Sequence, residues 1–91
     1  MKPLQIEVFT APGCGKCGQA KARLRRVAEE LKLDGLSWRE VNILDELDYA
    51  VDLGVLTTPA IAMNGELVFS GLPSEKAMLK KLSELLGATS A

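Results

Sequence analysis

The stretch Thr10-Ala11-Pro12-Gly13-Cys14-Gly15-Lys16-Cys17 decides how the rest of this sequence is read, and it holds both cysteines of the chain. Ahead of it runs Leu4-Gln5-Ile6-Glu7-Val8-Phe9, an apolar run of strand character. Behind it, from about Gly15, apolar residues recur at helical spacing. The two thiols therefore fall at a strand-to-helix junction, with Cys14 expected at the helix N-terminus and Cys17 one turn in. A helix N-terminus offers unpaired N–H groups and a partial positive charge, both of which favour an anion. A thiolate at Cys14 is such an anion, so its pKa is expected to fall below that of a free thiol. Lys16 adds a cation between the two cysteines. Cys17 lies within reach of Cys14 and can displace a group bonded to it.

Other uses of the pair are weighed against this one. As a structural staple it closes almost the smallest loop available, and crosslinks stabilise less as the loop shortens. A structural zinc site needs four ligands, whereas the chain has no further cysteine and no histidine. Carboxylates or a second chain could complete such a site. Two inert buried thiols fit poorly with the Gly-rich lead-in to a helix.

Ninety-one residues are expected to form one domain, residues 1–91, with a flexible tail over 87–91. Hydrophobic content of 47% and charged content of 25% are ordinary for a globular chain, but aromatics reach only 4%, so Leu, Val, Ile and Ala must build the core. A net charge of −1 gives no general reason to bind nucleic acid or an anionic membrane. Charge is nonetheless segregated. Lys16, Lys21, Arg23, Arg25, Arg26 and Lys32 make one segment basic, and Glu40, Asp45, Glu46, Asp48 and Asp52 make the next acidic. These are either two solvated helix faces or a dipole that steers a partner toward the thiols. Met1-Lys2-Pro3 leads directly into the strand pattern, without an apolar signal segment or a bilayer-length stretch. The expected compartment is cytoplasmic, where a vicinal thiol pair is redox-active rather than permanently bonded.

Residues 4–10 read as the first strand, with Leu4, Ile6 and Val8 on one side and Phe9 on the other. Glu7 is expected near an edge, reaching water. Were the strand central, it would be a carboxylate below the dithiol able to exchange protons with Cys17. Residues 15–33 read as a helix with Ala20, Leu24, Val27, Ala28 and Leu31 inward, ended by Asp34-Gly35. Residues 36–41 make a second strand, in which Trp38 is packing material. Asn42 or Asp45 is expected to cap a helix over 45–53, with Leu47, Ala50 and Val51 inward and Gly54 at its end. Pro59 opens the strand 60–63, Asn64-Gly65 turns a hairpin, and 66–70 returns. Ser74 then caps a last helix with Met78, Leu79, Leu82, Leu85 and Leu86 buried. The expected class is α/β, in the order β-α-β-α-β-β-α, with a four-stranded mixed sheet flanked by helices.

In this order and in several local motifs the chain, over residues 4–86, resembles the thioredoxin/glutaredoxin superfamily. Phe9-Thr10-Ala11-Pro12-Gly13-Cys14 is similar to the glutaredoxin lead-in, and Cys14-Gly15-Lys16-Cys17 is a C-x-x-C at the matching junction. Thr57-Thr58-Pro59 resembles the segment before the family's cis-proline. Met63-Asn64-Gly65-Glu66 resembles its terminal hairpin turn, and Gly71 stands where the family carries a glycine beside its substrate groove. The resemblance implies Cys14 as attacking thiolate, Cys17 as resolving thiol, a cis Pro59 against the dithiol, and substrate contacts at Lys16, Thr58, Pro59 and Gly71. It also implies that the Thr58 backbone pairs with an extended substrate segment. The family's buried aspartate maps onto Val8, so proton transfer from Cys17 must use another group, Glu7 or water. Where glutaredoxins hold Pro-Tyr, a basic lead-in residue and a Gly-Gly-Asp-like glutathione contact, this chain has Gly15-Lys16, Ala11 and Ser70-Gly71-Leu72.

The expected activity is thiol–disulfide oxidoreduction on protein or low-molecular-weight disulfides, with an upstream thiol reductase or small thiol restoring the dithiol. No cofactor or metal, no nucleic acid and no membrane is expected, and the chain is expected to be a monomer. A metal-delivery module using Cys14 and Cys17, and a redox-sensing interaction module, are the alternative readings.

Overall fold

In the computed structural model, which describes residues 4–30 and 36–90, the chain runs β1 (Leu4–Thr10), α1 (Cys17–Glu30), β2 (Leu36–Asn42), α2 (Leu47–Leu53), β3 (Ala60–Met63), β4 (Glu66–Ser70) and α3 (Glu75–Ser90). The sheet order is β2-β1-β3-β4. β1 pairs with β2 in parallel and with β3 antiparallel, and the β3–β4 hairpin is antiparallel. The mixed sheet of the expected class is thus formed. The expected helix end at 31–33, Leu31, the Asp34-Gly35 cap, residues 1–3 and the side chain of Leu86 lie outside the described residues.

β1 has a neighbour on each side and buries both faces, so its alternation feeds two cores. Ile6 and Val8 join Ala20, Leu24 and Val27 of α1, Met78 and Leu82 of α3, and Ile61 and Met63 of β3. Trp38 packs against this cluster as filler. Phe9 faces the other way, with Val41, Ala50, Ala60 and Ala62, beneath α2. β3 is buried at all four positions, because helices cover both of its faces. A bulge between Ile61 and Ala62 slips the β3–β4 register, pairing Ile61 with Phe69 and Ala62 with Leu67. The extra residue lets consecutive Val68 and Phe69 both pack on the α1–α3 side.

The hairpin turn has positive φ at both Asn64 (53°) and Gly65 (82°), the backbone that a two-residue hairpin of this twist demands. The Ser74 hydroxyl accepts the Ala77 N–H at 3.1 Å and caps α3. That helix continues through Gly87 to Ser90.

The entry to α2 departs from expectation. The helix begins at Leu47 after Glu46, which makes no side-chain cap. The Asn42 side chain instead accepts the Leu44 N–H at 2.9 Å and closes the turn leaving β2. Ala50 is buried, but Leu47 and Val51 are 56% and 62% exposed rather than inward. The rotation of α2 is set by polar contacts. Tyr49 Oη donates to Glu7 Oε1, while Arg39 bonds Glu7 Oε2 at 2.8 Å and Glu46 Oε2 at 3.1 Å. These contacts turn Glu46, Tyr49 and Leu53 toward the sheet and the Leu47–Val51 row away from it.

Gly54 ends α2 with φ +89°, and its N–H reaches Val51 O at 3.0 Å. A Cβ there would meet Leu67 Cδ2 at an ordinary 3.9 Å, so the demand for glycine comes from the backbone and not from space. Gly54→Ala is expected to cost about 1 kcal/mol, because an L-residue is disfavoured in the left-handed region. A urea denaturation midpoint that falls with unchanged slope would show this.

Candidate active site

The site begins where β1 stops. The Cys14 N–H donates to Ala11 O at 3.1 Å, closing a turn over residues 11–14. Pro12 holds its second position and Gly13, at φ +80°, its third, which is the pattern of a type II turn. No atom lies within 4 Å of a Cβ built on Gly13, so the positive φ alone calls for glycine there. Gly15 and Lys16 form a further turn, and α1 starts only at Cys17. The expectation of a helix from Gly15, with Cys14 at its N-terminus and Cys17 one turn in, is corrected: the glycine-bearing turns delay the start by two residues. Cys14 lies just before the helix and Cys17 is its first residue.

The two cysteines are joined as a disulfide with Cα atoms 5.6 Å apart. Their environments differ. Cys14 is half-buried, whereas Cys17 is 5% exposed with Sγ 4.0 Å from Phe9 O. The Lys16 side chain is exposed, and its carbonyl accepts the Ala20 N–H at 3.0 Å.

The Thr58–Pro59 peptide bond is cis, and Pro59 is buried. Ala60 pairs with Phe9, so continuing the antiparallel register sets Pro59 beside Thr10, four residues before Cys14. Pro59 O accepts the Gly71 N–H at 2.8 Å, which brings the end of β4 to the same place. Cys14, Cys17, Lys16, Thr58, Pro59 and Gly71 therefore share one end of the sheet.

Glu7 does not join them. β1 is central, which removes the edge position expected for Glu7, but the side chain faces α2 rather than the thiols. Both of its carboxylate oxygens are taken, by Arg39 and Tyr49. The Glu7 hydrogen bond, and after it that of Glu46, raises the Arg39 pKa above its ordinary value. The Glu7 hydrogen bond, followed by burial, raises that of Tyr49.

A second polar group, invisible to sequence reading, lies nearer to the dithiol. Buried Thr10 donates to Glu40 Oε2 at 3.2 Å, and Lys21 Nζ bonds Glu40 Oε1 at 3.0 Å. Lys21 is one turn beyond Cys17 on α1, so the contact straps the start of that helix to β2. Glu40 is also the register partner of Val8. Only the strand pairing reveals this, since nothing in the sequence links residues 8, 21 and 40.

With this geometry in view, comparison with known proteins gives one answer. A family model described as a thioredoxin domain matches residues 4–83. A thioredoxin of Methanocaldococcus jannaschii is 30% identical over 86 residues, covering 94% of this chain and 100% of that protein. A probable thioredoxin of Methanothermobacter marburgensis is 31% identical over 81 residues, covering 89% of this chain and 94% of that one. Among solved structures, thioredoxin 1 of Thermosipho africanus superposes with a TM-score of 0.73 at 14% identity, over 96% of this chain and 99% of the other, a likeness of fold. The chain belongs to the thioredoxin family, whose members are thiol–disulfide oxidoreductases.

The Lys21 hydrogen bond lowers the Glu40 pKa below its ordinary 4.5 against the opposing effect of burial, with Thr10 assisting. A carboxylate whose folded pKa is depressed adds stability that is present above the unfolded value and lost as pH falls through the folded one. The Glu40 contribution is thus expected to be complete above about pH 4.5 and to disappear in more acid solution. In Lys21→Met the Glu40 carboxyl titration, followed by carbon-13 NMR, should move up toward 4.5. An unmoved midpoint would show that the lysine has no hold on it.

Proposed function

We propose that the chain exchanges disulfides with protein or small-molecule partners through Cys14 and Cys17. The observation that carries the reading is the unequal exposure of two bonded sulfurs at the end of a central strand. In the reduced protein the Cys14 thiolate attacks one sulfur of a substrate disulfide. A mixed disulfide forms and the first substrate thiolate leaves. Cys17 then loses its proton and attacks Cys14 Sγ, which releases the second substrate thiol and leaves the Cys14–Cys17 disulfide. Two electrons have passed from the protein dithiol to the substrate. An upstream reductase or a low-molecular-weight thiol returns them.

The arrangement supports this division of labour. The half-buried Cys14 can be approached from solvent, whereas Cys17, against the Phe9 carbonyl, is reached from inside the molecule. The first N–H groups of α1 and the Lys16 ammonium favour a thiolate at position 14. Thr58, Pro59 and Gly71 lie at the same end of the sheet as the pair, which supports an extended substrate segment adding to the Thr58 backbone and aligning its disulfide. Glutathione is not assigned a site. We place the protein in the cytoplasm as a monomer. No helix among the described residues is long and apolar enough to cross a membrane.

Trapping tests the roles. Cys17→Ser is expected to accumulate a covalent adduct with a substrate such as insulin, resolved on a non-reducing gel, because the first attack survives and release does not. Cys14→Ser is expected to form none, and both variants should lose nearly all turnover. Adducts formed equally by both variants, or wild-type turnover in either, would remove the assignment.

A further inference from the structure

The described residues expose four large apolar side chains: Leu44 at 66%, Leu47 at 56%, Val51 at 62% and Leu56 at 95%. A single exposed leucine is ordinary, but these are arranged. Leu47 and Val51 are one turn apart on α2 and form a row on its outer face. Beside that row runs a second, made of exposed Asp48 and Asp52. Leu44 continues the apolar surface at the start of α2, and Leu56 is exposed in the connection that leads to Pro59. Ile43 N–H donates to Thr10 O at 2.9 Å, which fixes the start of the β2–α2 connection beside the end of β1. Leu56 lies three residues before Pro59, within about 10 Å of it by chain length alone. A depression lined by Leu44, Asp45, Glu46, Leu47, Asp48 and Tyr49 opens at the start of α2, so apolar and acidic side chains share it.

The charge around this surface has one sign. Residues 43–58 contain Asp45, Glu46, Asp48 and Asp52 and no lysine or arginine. Arg39 engages Glu46, but among the described residues no cation pairs with Asp45, Asp48 or Asp52. An apolar row flanked by unpaired carboxylates is complementary to an apolar face rimmed with cations, and it repels an acidic one.

We infer that the outer face of α2, extended by Leu44, docks a protein partner that presents apolar side chains rimmed by lysine or arginine. Where that docked protein is also the one whose disulfide meets Cys14, the inference rests on the exchange reading above. The surface then acts as a selector: it holds basic, apolar partners next to the thiols and turns acidic ones away.

Two synthetic amphipathic peptides without cysteine test this, one of leucine and lysine, the other of leucine and glutamate. Fluorescence anisotropy with the full chain at low salt is expected to show the leucine–lysine peptide binding at least about tenfold more tightly. That preference should vanish in Asp48→Lys/Asp52→Lys. Leu47→Ser/Val51→Ser should weaken binding of the same peptide several-fold. All four positions are exposed, so folded protein with only a small drop in thermal midpoint is expected, the loss of the Asp48 carboxylate from the first turn of α2 included, and this should be checked alongside. Equal affinity for the two peptides, or a preference that survives both double variants, overturns the inference. So does concentration-dependent self-association that Asp48→Lys/Asp52→Lys abolishes, since the occupant would then be a second copy of the chain. Reduction of a small aromatic disulfide is the separate control. If wild type fails to reduce it while the peptide preference holds, the exchange reading falls and the docking surface stands.

Discussion

Phe9 is the residue through which the whole arrangement is tied together. Its backbone pairs with Val41 on one side and Ala60 on the other, its ring is fully buried under α2, and its carbonyl stands beside the Cys17 sulfur. β1 can be held on both edges only because a parallel and an antiparallel neighbour meet there. That pairing fixes where the strand must end, and the turn that follows carries Cys14. The same register carries the cis Pro59 to the end of β1, and the Pro59 carbonyl in turn anchors Gly71. The site is assembled by strand register, with no dedicated scaffold of its own.

The two faces of the sheet are stabilised differently. On the α1–α3 side large aliphatic side chains interlock, and apolar burial of that kind contributes roughly 1.5–3 kcal/mol per side chain. On the α2 side the fully buried set leans on Ala50, Ala60 and Ala62, which bury little area each. A short helix held by alanines needs something more specific to fix its rotation. The Glu7–Arg39–Glu46 pair with Tyr49 supplies it. A partly buried carboxylate with two donors is tolerable where an unpaired one is not, because its lone pairs remain satisfied after leaving water.

Most of this architecture was legible in the sequence because it depends on local signals. The hairpin follows from Asn64-Gly65, the last helix from Ser74, and the end of α2 from Gly54. The apolar residues of 4–10 announce a strand, but Gln5 and Glu7 dilute its second face and point to an edge, so its central place is not legible there. The illegible parts depend on partners distant in the chain. Leu47 and Val51 looked inward because they are apolar, and only Glu7 and Arg39 show why they are not. Glu7 was weighed as an edge residue or a proton carrier. Its true use requires knowing that residues 7, 39 and 49 meet. The late start of α1 was hidden for another reason: Gly15-Lys16 reads equally as first turn or as approach. Of the site, the pair of thiols and the Thr58–Pro59 segment were visible as motifs, while the Thr10–Glu40–Lys21 strap was not.

The structure also changes what the charge segregation can mean for the thiols. Read from sequence, the basic segment is either a solvated helix face or one end of a dipole that steers a partner toward the thiols. In the folded chain most of its cations are already engaged. Lys21 is bonded to Glu40 and Arg26 to Glu75, Arg23 donates to Pro73 O at 3.0 Å, and Arg25 lies 6.0 Å from the Trp38 ring centre. Glu40 and Glu75 neutralise Lys21 and Arg26, and charges paired in this way project little field beyond a few ångströms in water, whereas Arg23 and Arg25, held by a carbonyl and a ring, keep their net charge. Lys16 is different: it is exposed, and among the described residues no carboxylate pairs with it. The groups nearest the dithiol along the chain that favour a thiolate are thus Lys16 and the open N–H groups of the first helical turn. Among the described residues unpaired negative charge gathers on α2, whose aspartates lack such partners. The unpaired carboxylates of α2 and the cation and open N–H groups nearest the thiols therefore belong to different elements, and α1 and α2 lie on opposite faces of the sheet.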